Sequence, residues 1–124
     1  MTIHGSITFA ITERSDERVV AEMPIAGGIT NPYGVVHAGA MLWMADVTAT
    51  VLVMGPDPPS EGGAGFPLAI NLTANFLANQ REGSFKAVAT YVKRGRTVSV
   101  VRTIVSGADD KLIADVTTSH VRAK

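Results

Sequence analysis

The stretch HAGAMLWMADVTATVLVMGP, residues 37–56, sets the architecture. Between Ala38 and Met54 its only polar side chains are Asp46, Thr48 and Thr50. The run suits a helix of several turns and falls short of a membrane span. Gly55 then Pro56 stops it, because glycine accepts the left-handed cap and proline cannot continue the ladder. A helix apolar nearly all round needs cover from more than one surface. Asp46 is the anomaly, since an ionised carboxylate is costly to bury unpaired and Asp is a poor helix-interior residue.

Strand patterns flank this helix. Residues 6–13 and 17–24 read as two short strands joined by a turn at Ser15-Asp16. Residues 26–34, AGGITNPYG, are irregular. Residues 55–67, GPDPPSEGGAGFP, are dominated by Gly and Pro and form a loop long enough to act as a lid. In LAINLTANFL, 68–77, the period becomes two, with Leu68, Ile70, Leu72, Ala74 and Phe76 on one face. Runs at 84–93, 96–105 and 111–121 follow, with NQREG, RGR and SGADD between them as hairpin turns. Tight turns predict antiparallel neighbours. The fold class is therefore α+β, one antiparallel sheet packed on one long helix, within a single domain over residues 1–124.

Composition narrows the function. Lys+Arg and Asp+Glu are equal at 11 each, so no basic excess points to nucleic acid or an anionic membrane. The absence of cysteine excludes disulfides and thiolate metal sites, and three histidines (4, 37 and 120) argue against a His-rich metal centre. No signal-peptide pattern opens the chain, so a cytoplasmic protein is expected. At 46% hydrophobic the chain is apolar for its size, which favours an oligomer.

Asp46 has a structural reading, as a paired or solvent-edge carboxylate, and a functional one, as a general base or nucleophile in a partly desolvated cleft. Its surroundings favour chemistry. Asn31, Tyr33, Gly34, His37, Ala38 and Gly39 gather just before and at the helix start, where free N–H groups and the positive end of the dipole can receive charge developing on a carbonyl oxygen. Eight residues from Ala38 to Asp46 make roughly 12 Å of rise. One carbonyl cannot be reached by both from a single chain. A two-fold dimer, with the helix start of one protomer facing Asp46 of the other, closes the geometry twice.

The ordered set Asn31-Pro32-Tyr33-Gly34-Val35-Val36-His37-Ala38-Gly39, with Asp46 nine residues after His37, resembles the hotdog-fold acyl-CoA thioesterases, most closely their phenylacetate-degradation branch. Asn75-Phe76-Leu77, Gly83 and Gly95-Arg96-Thr97 extend the resemblance over roughly residues 5–122. It implies an antiparallel sheet wrapped around a central helix, in dimers commonly paired into homotetramers. It implies Asp46 as catalytic carboxylate and the Ala38 N–H as the group polarising the thioester from the facing subunit. Asn31 would hold the water or the sulfur side, His37 would order the loop near the thioester, and Thr50 would position water. Tyr33 and Gly39 would line the substrate site. Asn71 and Thr73 are the alternatives for a hydroxyl- or amide-bearing residue on the first strand after the helix. Lys93, Arg94 and Arg96 would meet the phosphates of coenzyme A. No cofactor or metal is implied, coenzyme A being part of the substrate.

Ala38 departs from the family's usual Gly-Gly pair; its methyl leaves the N–H in place, and either narrows the pocket or demands a helical φ/ψ that Gly would not need. Bland readings compete at several positions. His37 can cap the helix, Asn31 can be a turn residue, Thr48 and Thr50 can back-bond to the preceding turn, and Lys93–Arg96 can be a solvated hairpin. Trp43, Met41 and Met44 read as core or dimer contact. The alternative function is a non-catalytic acyl-CoA-binding protein. A hotdog dehydratase is disfavoured because no His-Phe-Pro-Gly signature occurs.

Overall fold

The computed structural model describes residues 1–57 and 62–124. Its elements are β1 (Ala10–Arg14), β2 (Arg18–Pro24), α1 (Ala38–Met54), β3 (Pro67–Phe76), β4 (Ser84–Lys93), β5 (Val98–Ser106) and β6 (Leu112–Arg122). The six strands form one antiparallel sheet in the order β1-β2-β4-β5-β6-β3, and α1 packs against β2 through β6. This is the expected α+β hotdog arrangement. Among the described residues no helix is long and apolar enough to cross a membrane.

Small side chains let the helix lie close to the sheet. Ala45 shares one buried cluster with Ala21 and Ala87, and Ala49 shares a second with Ala89. Larger groups fill the space beyond: Met23, Phe85, Met41 and Met44 toward the helix start, and Leu52 with Val101 toward its end. The sheet covers Ala40, Met41, Met44, Ala45, Thr48, Ala49, Leu52 and Val53. It leaves Ala38, Gly39, Leu42, Trp43, Asp46, Val47, Thr50, Val51 and Met54 wholly or partly exposed. These recur at helical spacing, so the uncovered part of α1 is a single stripe. Phe9 packs edge-on against Trp43 on that stripe, with ring centroids 4.8 Å apart.

Three expectations need correction. The strand expected at 6–13 begins at Ala10, because the chain before it leaves β2 and docks beside the helix start through Ser6 N–H to the Gly28 carbonyl, 3.0 Å. NQREG is not a hairpin turn. β3 lies at the far edge beside β6, whereas β4 lies between β2 and β5, so this connection crosses the sheet. The period of two in β3 is broken by a bulge between Ala69 and Asn71. Ala69 pairs with His120, and Leu72 with Thr118, both core-facing, so the helix-facing set changes phase at Ile70. Leu68 and Ile70 are 46% and 58% exposed on this edge strand.

Both ends of the Gly/Pro-rich connection after α1 are pinned. Arg122 donates to the Val53 carbonyl (2.7 Å) and the Gly65 carbonyl (2.9 Å), and Arg14 donates to the Gly55 carbonyl. Gly55, at φ 75°, supplies the predicted cap. The lid expectation for 55–67 rests partly on residues 58–61, which lie outside the described residues.

Candidate active site

The helix start is fixed by a backbone framework. Gly34 N–H donates to the Asn31 carbonyl (2.9 Å), closing a turn that holds Gly34 at φ 85°. A side chain there would be strained and would meet Arg81 Nη1 at 2.6 Å. The Asn31 side-chain oxygen accepts from the Tyr33 and Val35 N–H groups (2.9 and 3.3 Å). His37 N–H then donates to the Ile29 carbonyl, 2.9 Å. From the crossing connection, Asn79 pairs with Val36 in both directions, accepting its N–H (3.1 Å) and donating to its carbonyl (2.9 Å). The reading of the sequence missed Asn79, since it lies in the segment taken for a hairpin.

His37 occupies the N-cap without a side-chain capping bond and stays exposed, so the capping role is not what it does. Ala38 and Gly39 open the helix, both exposed, and Tyr33 is 80% exposed nearby. His37, Gly39 and Ala40 share a cleft of about 390 Å³ with Ile3, His4, Ile7 and Ile29.

Asp46 lies in a second cleft, of about 450 Å³, with Val47, Thr50, Val51 and Met54 on the helix side and Phe66–Ala69 on the β3 side. Its Oδ1 is buried and has no hydrogen-bond partner among the described residues. The walls are largely apolar. An acceptor held without a protein donor in such a setting is suited to taking a proton or attacking carbon. Thr50, one turn on, shares the cleft, whereas Thr48 is buried and back-bonds to the Met44 carbonyl at 2.6 Å. The structure thus brings together Asp46 and Thr50, and separately His37, Ala38 and Gly39 with the Asn31–Tyr33 turn.

Asn71 and Thr73 join neither group. They are exposed and pair with Ser119 and Thr117, on the sheet face turned away from α1. Lys93, Arg94 and Arg96 are exposed at the β4–β5 turn. Arg94 lies 4.5 Å over the Tyr91 ring and donates to the Asp16 carbonyl at 2.6 Å. Tyr91 Oη donates to the Leu52 carbonyl (3.2 Å), which places this turn beside the C-terminal end of α1.

His120 was counted in the sequence and given no role. It is 1% exposed on β6, paired with Ala69 of the cleft wall, and its Nε2 lies 2.8 Å from Thr118 Oγ1. Burial holds its imidazole below the usual histidine pKa, against the opposing pull of the Pro67 carbonyl and the Asp46 charge. The unfolded chain therefore binds a proton that the native state refuses. Stability is expected to fall as pH drops below about 6.5, the unfolded value, and to level off beneath the folded one. Urea midpoints taken every half pH unit in wild type and His120→Asn check this. The variant is expected to lack the decline between about pH 6.5 and 5.5, ahead of carboxylate titration.

The model of the thioesterase superfamily matches residues 33–114, which include the end of the turn, all of α1, β3 to β5 and the start of β6. The chain belongs to the thioesterase superfamily. It is a thioester hydrolase by class. It is 29% identical over 112 residues to ComA2 of Bacillus subtilis, a protein named as an esterase, covering 90% of this chain and 86% of that one. Its backbone superposes on a mutant of the thioesterase PA1618 of Pseudomonas aeruginosa with TM-score 0.80 at 25% identity, over 94% of this chain and 81% of that one. A mutant of the thioesterase SAV0944 of Staphylococcus aureus superposes with TM-score 0.85 at 20% identity, over 94% and 93% of the two chains, a likeness of fold.

Proposed function

We propose that this superfamily member hydrolyses the thioester of an aryl- or short- to medium-chain acyl-CoA, in a homodimer or homotetramer whose sites lie between facing protomers. The observation that carries the reading is Asp46: an acceptor with one oxygen buried and without a partner among the described residues, in an apolar-walled cleft on the one helical stripe its own sheet leaves uncovered. The stripe and the exposed apolar edge of β3 together make a surface suited to a second copy. Across it, the helix start of one protomer would meet the carboxylate of the other.

In the bound state the Ala38 N–H and the dipole of α1 polarise the thioester carbonyl. Asp46 supplies the reacting carboxylate, attacking the carbonyl carbon or taking the proton of an attacking water. Thr50 orients that water. The tetrahedral intermediate collapses by breaking the C–S bond; the coenzyme A sulfur leaves as thiolate and takes the proton removed from water, the acyl group departing as the free acid, and where Asp46 itself attacks, water hydrolyses the resulting mixed anhydride to that acid and restores the carboxylate. Asn31 and His37 shape the turn that presents the N–H groups, and Tyr33 and Gly39 border the acyl path.

The experiment is thiol release from a panel of aryl- and alkyl-CoA esters, with oligomeric state measured alongside. An intact dimer that binds these esters and cleaves none would move the non-catalytic binding reading ahead. Lys93, Arg94 and Arg96 are assigned to the phosphates of coenzyme A. Their combined replacement by Ala is expected to raise KM for a CoA ester about tenfold or more, with kcat little changed, since charge-assisted phosphate contacts bind ground and transition states alike. The same acyl group on pantetheine, which lacks those phosphates, is expected to show no such rise.

A further inference from the structure

Behind the wall of the Asp46 cleft lies a polar pair that hydrolysis as described does not use. Three buried side-chain polar atoms lack partners among the described residues: Asp46 Oδ1, His120 Nδ1 and Thr103 Oγ1. His120 sits one strand in from the cleft, across the β3–β6 ladder from Ala69, and Pro67 and Ala69 both line the cleft with Asp46. On its other side it pairs with Ser99 of β5. β3 and β5 therefore offer it no titratable group at these positions. α1 offers Asp46, and on β6 the nearest charge is Arg122, which is bonded to the Val53 and Gly65 carbonyls.

Chemistry selects the tautomer. The Thr118 hydroxyl can donate to Nε2, its 2.8 Å neighbour. Nδ1 is the nitrogen left without a partner among the described residues, and the unpartnered group of the cleft beyond, Asp46 Oδ1, is an acceptor. A neutral imidazole among acceptors carries its proton on the nitrogen facing them.

We propose that His120 is the positioning residue of Asp46, a buried imidazole fixed by Thr118 whose Nδ1–H dipole is directed to the carboxylate and holds it oriented toward the thioester. The proposal rests on the reading of Asp46 as the reacting carboxylate. Protonation of His120 would turn a dipole into a full positive charge beside the base, weakening it, so His120 would shape the acid limb of the pH profile.

The test uses the full-length protein. In 15N–1H correlation spectra, the ring nitrogens of His120 are expected to report the Nδ1–H form in wild type. Its titration midpoint is expected to move to lower pH in Asp46→Asn, where the carboxylate's field is gone. An Nε2–H form, or the same midpoint in both proteins, would overturn the proposal. This arm needs no turnover, so it stands or falls separately from the hydrolase reading. In kinetics, His120→Asn keeps an N–H near the Nδ1 position and is expected to hold most of kcat while flattening the acid limb. His120→Leu is expected to lower kcat by about 10- to 100-fold at unchanged KM, the scale of a misplaced reacting group. Equal kcat in the two variants, with both thermal midpoints preserved, would also overturn it.

Discussion

Asp46→Asn is expected to reduce kcat/KM for the best acyl-CoA by about 10²- to 10⁴-fold, the range for losing a positioned acid–base group. That is about 3–5 kcal/mol of transition-state stabilisation. The swap keeps shape and removes charge, so the loss should fall on kcat more than on KM. Stability should hold or rise, because the wild-type carboxylate has one oxygen buried without a partner among the described residues, and an amide is cheaper to bury than an ion. Steady-state thiol release, with the urea midpoint measured on the same preparations, checks both. Unchanged turnover in a folded variant would make Asp46 structural and remove the proposed mechanism.

Phe85→Ala is expected to show the largest effect on stability. Phe85 is fully buried on β4, register-paired with Met23, and belongs to the cluster that seats the N-terminal half of α1 through Met41 and Met44. Truncating a buried Phe costs about 3–5 kcal/mol through lost transfer energy and the cavity left behind. Native domains have about 5–15 kcal/mol to lose, so the variant should sit near the edge of folding. Denaturant unfolding gives the difference. A cost below about 1 kcal/mol would mean the core refills around the gap, against the close packing described.

The helix was legible because its signals are local. The apolar run starts after His37 and ends at Gly55-Pro56, and α1 spans Ala38–Met54. Asp46 stood out for the same reason, as the one charge in that run. β3 was legible as a strand but not in its place. Its partner is chosen by a connection crossing the whole sheet, and nothing within residues 79–83 separates that crossing from a hairpin turn. The bulge at Ile70 was hidden too, since a continuous period of two fits LAINLTANFL on its face. Asn71 and Thr73 were placed near the site by resemblance, and the register puts them on the opposite face. Asn79 and His120 were invisible for a different reason. A turn-type Asn and a His in an alternating strand are ordinary in sequence, and only the folded chain bonds Asn79 to Val36 and sets His120 behind Ala69 of the Asp46 cleft wall.

The arginine bonds at the two ends of the connection between α1 and β3 bear on how such a protein can diversify. Val53, Gly55 and Gly65 are held by Arg14 and Arg122, which belong to the first and last strands rather than to the connection itself. Insertions or deletions between these anchors need not disturb the helix end or the ladder beyond. Their entropic cost grows only logarithmically, about 0.6 kcal/mol for each doubling of length. Phe66 and Pro67, which line the cleft, follow directly after the second anchor. If the proposed function holds, changing the length of this one segment alters a neighbour of the cleft while the carboxylate, the helix and the sheet stay fixed, which makes the span the place to graft or randomise when a new substrate range is sought.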